Sequence, residues 1–372
     1  MSALAIQTDH APGPAVLAAL QRRVKATAPK LPGVYEFLDP LGTVIYVGKA
    51  KSLRARLLSY FTAPWPESKG ARLIRCATDV RWRVLPSEFA ALLEELSRIQ
   101  ELRPACNVAG TRYRASLAFI KVTGGPAPKL VVTESARDSG ARYYGPFRGR
   151  GPTLQAVHTL ADMLGLRDCS DRVAMVYADQ PGLFDAPLQA GCIRHELGTC
   201  LGPCAARVSE ARYREAAGAA LDFLEGRSAR PLDRILDVMS DAAVGRAYER
   251  AAWWRGKLEE LTWLFAAVAR LRAAVDALSF VYEVDDESGN GDDRLYLVRH
   301  GVVRAVAARA RTPIEREAFA ATVHQETADV GPAPAARGTR EMAQLLLVMS
   351  WFRQHPDEYE RTSPFAKWTG QP

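Results

Sequence analysis

The sequence predicts an α+β protein: a small α/β domain, a cysteine-bearing segment, a helical middle and a second, small α/β region. Three observations lead there. Two β-rich runs, 34–38 and 44–47, are joined by the turn sequence Asp39-Pro40-Leu41-Gly42. Phe89, Leu92, Leu93, Leu96 and Ile99 repeat at helical spacing soon afterwards. Residues 206–275 are rich in Ala and Leu with few Gly or Pro, the composition of packed helices.

Each element follows in order. Residues 1–26 read as an extension with one helical stretch at 16–24, and an α/β unit occupies 27–108. After its hairpin, Ser52 is placed to cap a helix reaching about residue 60, with Leu53, Leu57 and Phe61 on one side. A third strand is expected at 81–85. Ser87 then caps a helix to about Leu102, which Pro104 ends. Residues 109–205 hold strands at 117–122 and 130–133, a turn at 143–147 and the cysteine segment from 165. Helices fill 206–275. In 276–372, strands at 278–283 and 294–303 flank the polar loop DDESGNGDD, and a helix at 339–352 closes the chain.

At 372 residues the chain can form two or three compact units, taking roughly 150 residues for each. It has no run of about 18 apolar residues, so no membrane span is expected. The N-terminus carries Asp9 and His10 where a secretory signal has a basic start and an apolar run, so a cytoplasmic location is expected. The net charge of +7 is mild, but its distribution is uneven. Lys49, Lys51, Arg54 and Arg56 crowd together, followed by Arg72, Arg75, Arg81 and Arg83, a concentration suited to a phosphate backbone.

The hairpin sets Tyr35 on its first strand and Tyr46 on its second, where pairing would bring them close. Arg56 and Tyr60 lie four residues apart on the next helix and share a face. Two phenols, a guanidinium and nearby Lys49 make a poor apolar core but a reasonable phosphate site. Adjacent cations are expected to lower a phenol's pKa toward the range of a useful base. Phosphodiester hydrolysis also asks for a hard cation on a carboxylate. The Ser87 helix offers Glu94, directed away from its apolar stripe, and Glu95, at the stripe's edge beside Leu92 and Ile99; the second is the better candidate.

These residues carry a resemblance. LPGVYEFLDPLGTVIYVGKAKSLRARLLSYF is similar to the GIY-YIG nuclease domain of the UvrC/Cho excision-repair endonucleases. The resemblance implies Tyr46 as general base, with Tyr35 helping to position water. Gly48 and Lys49 complete the second motif, Arg56 is the transition-state cation and Tyr60 an accessory phenol. Glu95 would hold one Mg²⁺ or Mn²⁺. The family separates its glutamate and asparagine by twelve residues, and Glu95 with Asn107 keeps that spacing. The substrate implied is damaged double-stranded DNA, cut 3′ of the lesion. A DNA-binding scaffold without activity and a restriction or mobile-element nuclease are the alternatives.

Cys169, Cys192, Cys200 and Cys204 are separated by 23, 8 and 4 residues. In a cytosolic chain such a cluster suggests an iron–sulfur cluster or tetrahedral zinc rather than disulfides. YYGPFRGRG, LGLRDCSD and CIRHELGTCLGPCAARVSEARYREA continue the UvrC resemblance, which implies a 4Fe-4S cluster, with residues 173–187 an insertion that makes Cys169 the least certain ligand. Cys76 and Cys106 are expected in the core. Residues 246–260 resemble the UVR helical hairpin, which implies UvrB as a partner. Acids after Val275 stand singly or in a polar loop, so one incision per lesion is expected.

Overall fold

Asp39 closes the first hairpin from inside the turn. Its Oδ1 accepts the Leu41 N–H at 2.9 Å and the Thr43 N–H at 2.8 Å, while Gly42 takes the left-handed φ of +77°. The computed structural model describes residues 13–64, 68–107, 117–138, 140–180, 192–328, 331 and 333–370. Asp9, His10 and the latter part of the expected insertion lie outside these residues.

A helix, α1 (Pro14–Thr27), precedes the hairpin strands β1 (Gly33–Leu38) and β2 (Val44–Ala50). Then come α2 (Leu53–Phe61), α3 (Lys69–Ile74), β3 (Asp79–Val84) and α4 (Glu88–Leu102), with a 3-10 turn at Ala105–Asn107. The three strands form an antiparallel sheet in the order β2-β1-β3. Alternation along β1 sends Tyr35 and Phe37 to one face, where they join Leu53, Leu57 and Tyr60 of α2 in a core completed by Leu20 and Val24. The opposite face carries Glu36 and Arg83, which pair with Arg98 and Glu94 of α4. Glu94 is therefore held against the sheet by Arg83 rather than directed freely outward. Cys106 packs against the Tyr35–Phe37 core, whereas Cys76 is half-exposed.

Next come β4 (Leu117–Val122), β5 (Leu130–Thr133) and β6 (Arg142–Arg148). Residues 143–147 were expected as a turn, yet they run as the centre of β6, paired to β4 and kinked at a cis Gly145–Pro146 bond. The two-residue strand Ala336–Arg337 extends this sheet beyond β6. Helices α5 (Arg150–Leu164), α6 (Ile193–Glu196), α7 (Glu210–Leu224), α8 (Arg230–Val244) and α9 (Tyr248–Asp276) follow. The apolar faces of α5, α7, α8 and α9 meet in one core around Val157, Leu160, Phe223, Leu261 and Leu264, while Ile193 of α6 is exposed. No helix had been expected at α5, although Leu154, Val157, Leu160, Ala161 and Leu164 repeat at helical spacing behind its Gly-rich entry.

The remaining residues form β7 (Phe280–Val284), β8 (Arg294–Arg299), β9 (Val302–Ala308), α10 (Pro313–Thr327), α11 (Thr339–Gln354) and α12 (Ala366–Thr369). The single strand expected at 294–303 is two strands, β8 and β9, reversed at His300-Gly301, both of which have positive φ. Thr312 and Glu315 form a capping box that starts α10. By contacts the chain divides into two units. One comprises Met1–Arg112, Leu278–Val330 and Ala343–Pro372, and the other Tyr113–Ala277 and Gly331–Met342. Leu278–Val330 and Ala343–Pro372 thus share a unit with the first domain, although they stand far from it in sequence.

Candidate active site and cysteine cavity

Among the described residues no strand lies beyond the outer edge of β2, so its outward N–H and C=O groups need partners. Two side chains supply them. Asn107 accepts the Val47 N–H through Oδ1 and donates to the Val47 carbonyl through Nδ2, both at 2.8 Å. Glu95 accepts the Lys49 N–H at 3.1 Å through Oε1. The edge strand carrying Tyr46, Gly48 and Lys49 is therefore tied to α4 and to the 3-10 turn.

On the buried face, Gly48 stands opposite Tyr35 in register. A Cβ at Gly48 would fall 2.4 Å from the Tyr35 hydroxyl and 2.9 Å from Tyr46 Cε1, so only glycine lets the two rings close to 6.2 Å. The hydroxyls of Tyr35 and Tyr60 are hydrogen-bonded at 2.7 Å, and Arg56 Nε donates to Tyr35 Oη at 3.2 Å. Tyr60 is also hydrogen-bonded to Tyr46, so it is the middle member of three phenols. The Arg56 guanidinium lies 5.0 Å from the centre of the Tyr60 ring. Tyr46, Arg56 and Tyr60, together with Ser59 and Ser68, line a cleft of about 240 Å³. Ser59 follows Arg56 by three residues, a helical spacing that signals its place; Ser68 gave no such sign.

The phenols correct one expectation. Burial, the largest cause, pushes Tyr35 up to about 12, against the pull of its hydrogen bond from Tyr60 and the charge and hydrogen bond of Arg56. Tyr46 is raised by burial, by Tyr60 and by the Glu95 charge, and Tyr60 by burial and Tyr35. One guanidinium does not outweigh the desolvation of three packed rings. Glu95 is also raised by burial, opposed by the Lys49 N–H, the Lys49 charge and Arg56.

The basic residues are distributed unevenly. Lys49 places Nζ 2.5 Å from Glu88, so its ammonium is engaged, and Arg54 donates to the Ala28 carbonyl. Lys51, Arg56, Arg72 and Arg75 have exposed side chains. Among the described residues no helix is long and apolar enough to cross a membrane.

In the second unit, Cys169, Cys192, Cys200 and Cys204 all line one cavity of about 230 Å³, with Val173 and Pro203. Cys169 is presented by two buried cations. Lys129 Nζ donates to its carbonyl at 2.6 Å, and Arg167 reaches the same carbonyl at 3.3 Å and Sγ at 3.7 Å. Asp171 pairs with both. Among the described residues no three His, Cys, Asp or Glu side chains converge on a point that would hold a single metal ion.

Residues 31–108 match the UvrC-like GIY-YIG domain, and residues 117–223 match the UvrC/Cho excinuclease middle domain. The UvrABC system protein C of Renibacterium salmoninarum is 34% identical over 74% of this chain and 41% of its own length. That of Alcanivorax borkumensis is 33% identical over 61% of this chain and 36% of its own. The chain spans about two fifths of the length of these relatives. A solved structure, the GIY-YIG N-terminal endonuclease domain of UvrC from Thermotoga maritima bound to its catalytic divalent cation magnesium, is 35% identical. It covers 24% of this chain and 97% of that one, with a TM-score of 0.22.

Proposed function

We propose that this chain, which carries a UvrC-like GIY-YIG domain ahead of a UvrC/Cho middle domain, is a metal-dependent endonuclease of nucleotide excision repair. One observation carries the reading: Tyr46, Arg56 and Tyr60 line one cleft, Tyr35 is hydrogen-bonded beneath them to Tyr60 and Arg56, and Glu95, whose charge acts on Tyr46, holds with Asn107 the strand edge that carries that phenol.

Glu95 would hold one Mg²⁺ or Mn²⁺. It fits that duty, being a single half-buried carboxylate near an open cleft, and Mg²⁺ keeps several waters and takes one or two carboxylates. When bound, the ion would supply charge neutralisation at the phosphate and leaving oxygen. Arg56, steadied by Tyr35 and the Tyr60 ring, meets the developing charge on the phosphorus centre. Tyr46, once it has released its own proton to solvent as phenolate, accepts the proton of the attacking water, and Tyr35 orients that water. Because all three phenols are raised, the free site holds them neutral, and positive charge must enter the cleft before Tyr46 becomes a base. Lys51, Arg72 and Arg75 extend the contact along damaged duplex DNA, cut 3′ of the lesion.

Cys169, Cys192, Cys200 and Cys204 would hold a 4Fe-4S cluster. Their cavity supports this over zinc, since one ion about 2.3 Å from each sulfur leaves no space of that size between them. The α8–α9 hairpin exposes Leu236, Val244, Tyr248 and Trp253 near its turn, a surface suited to UvrB. The location is cytoplasmic.

A nicking assay on lesion-containing duplex, with and without Mg²⁺ or Mn²⁺, tests the proposal. Metal-dependent cutting that Glu95→Gln abolishes is expected. Equal cutting by the variant, or none by the wild type, would overturn it.

A further inference from the structure

The helix that carries Glu95 is tied to the sheet by polar contacts of Glu94, Glu95 and Arg98, but it is buried only at its first turn. Its buried residues are Phe89, Ala90 and Ala91, all in the first turn, and from Leu92 to Leu102 every side chain is half-buried or exposed. What grips that first turn is the C-terminal region. The Phe89 ring, fully buried, meets Tyr282 at 5.1 Å and Tyr296 at 5.0 Å, both edge-on, and Trp351 at 5.4 Å. The box is itself rigid: Trp351 Nε1 donates to the Tyr282 hydroxyl at 3.2 Å, and that hydroxyl donates to Glu358 at 2.7 Å. Backbone contacts reinforce it. Glu287 N–H donates to the Pro86 carbonyl at 2.7 Å, and the Glu88 N–H reaches the Glu287 carboxylate at 3.4 Å. Glu88 in turn pairs with Lys49, whose own N–H holds Glu95.

We infer that the C-terminal α/β region positions the metal ligand of the nuclease site, with Phe89 as the positioning residue. Phe89 touches no reacting group. It is the one large buried side chain of α4 and holds the helix six residues before Glu95, where the remaining ties to the sheet are polar and partly exposed. A carboxylate at the end of a loosened helix spends binding free energy on being ordered, so the loss falls on metal affinity before it falls on the saturated rate. The inference rests on the nuclease reading and extends it to residues 278–372, which had no assigned role.

The test is direct Mn²⁺ binding to the full chain, followed by paramagnetic resonance, for wild type, Phe89→Leu, Phe89→Ala, Trp351→Phe and Glu95→Gln. Phe89→Ala is expected to weaken Mn²⁺ about tenfold, Phe89→Leu to recover most of that loss, and Trp351→Phe to weaken it about threefold. In nicking, the half-saturating Mn²⁺ concentration should shift by the same factors while the rate at saturation stays within about twofold. If Phe89→Ala does not fold, the Trp351→Phe shift decides. Variants that bind Mn²⁺ as the wild type does, with only a lower melting temperature, overturn the inference alone. A wild type whose Mn²⁺ binding is unaffected by Glu95→Gln overturns the nuclease reading and the inference with it.

Discussion

Gly48→Ala adds one methyl group at the most crowded point of the cleft. The new Cβ would lie 2.4 Å from Tyr35 Oη and 2.5 Å from its Cζ, where ordinary contact begins near 3.4 Å. The ring must therefore withdraw by about 1 Å. A withdrawal of that size carries the 2.7 Å bond to Tyr60 and the 3.2 Å bond from Arg56 beyond hydrogen-bonding reach. Two such bonds contribute about 1 kcal/mol each, and overpacking costs about 1–3 kcal/mol, so a destabilisation of roughly 3–5 kcal/mol is expected. The rate should suffer more than the fold, because a displacement of about 1 Å in a positioning group costs on the order of 100-fold. Single-turnover nicking, thermal melting and DNA affinity measured without metal separate these effects. Slow cutting with unchanged DNA affinity is expected. A stable variant that cuts within twofold of the wild type would refute the cross-strand placement of Tyr35.

Glu95→Gln should abolish cutting, leave DNA affinity largely intact and raise the melting temperature at pH 7, because burial disfavours the charged carboxylate that the amide replaces. Its pKa is raised in the folded protein, so the stability linked to it is present below the unfolded value of about 4.5 and is lost as pH rises through the folded one. The same sign governs Tyr35 at the alkaline end. Between pH 10 and about 12 the unfolded phenol ionises before the folded one, and stability falls by about 2–3 kcal/mol. Tyr35→Phe should flatten that slope in alkaline melts; an unchanged slope would remove Tyr35 from the account. Anaerobically purified protein should be brown with absorbance near about 400 nm, bleached by Cys200→Ser or Cys204→Ser; a colourless chain with stoichiometric zinc would contradict the cluster. A duplex labelled differently at each end of the damaged strand should yield one 3′-side product from this chain, and a 5′-side nick surviving Glu95→Gln would reveal a second site.

The elements that local pattern controls were legible in the residues themselves. The hairpin follows from Asp39 and Gly42, and strand alternation puts Tyr35 and Tyr46 on one face whatever surrounds them. Helical period separates Glu94 from Glu95, and short spacings draw attention to the cysteines. What remained hidden depended on groups distant in the chain. Whether a phenol is acidified is decided by how much water the packed rings exclude, and that is set by α2 and β1 together, so the expected lowering became a rise. Whether Lys49 is available for phosphate depends on Glu88, and the grip of Asn107 on β2 spans sixty residues. The clamp on Phe89 is formed by Tyr282, Tyr296 and Trp351, from a stretch whose sequence shows only ordinary strands and a helix. A periodicity reports which face of an element is apolar. Only the tertiary structure decides which apolar face it meets, because that choice is made by the packing of the whole core.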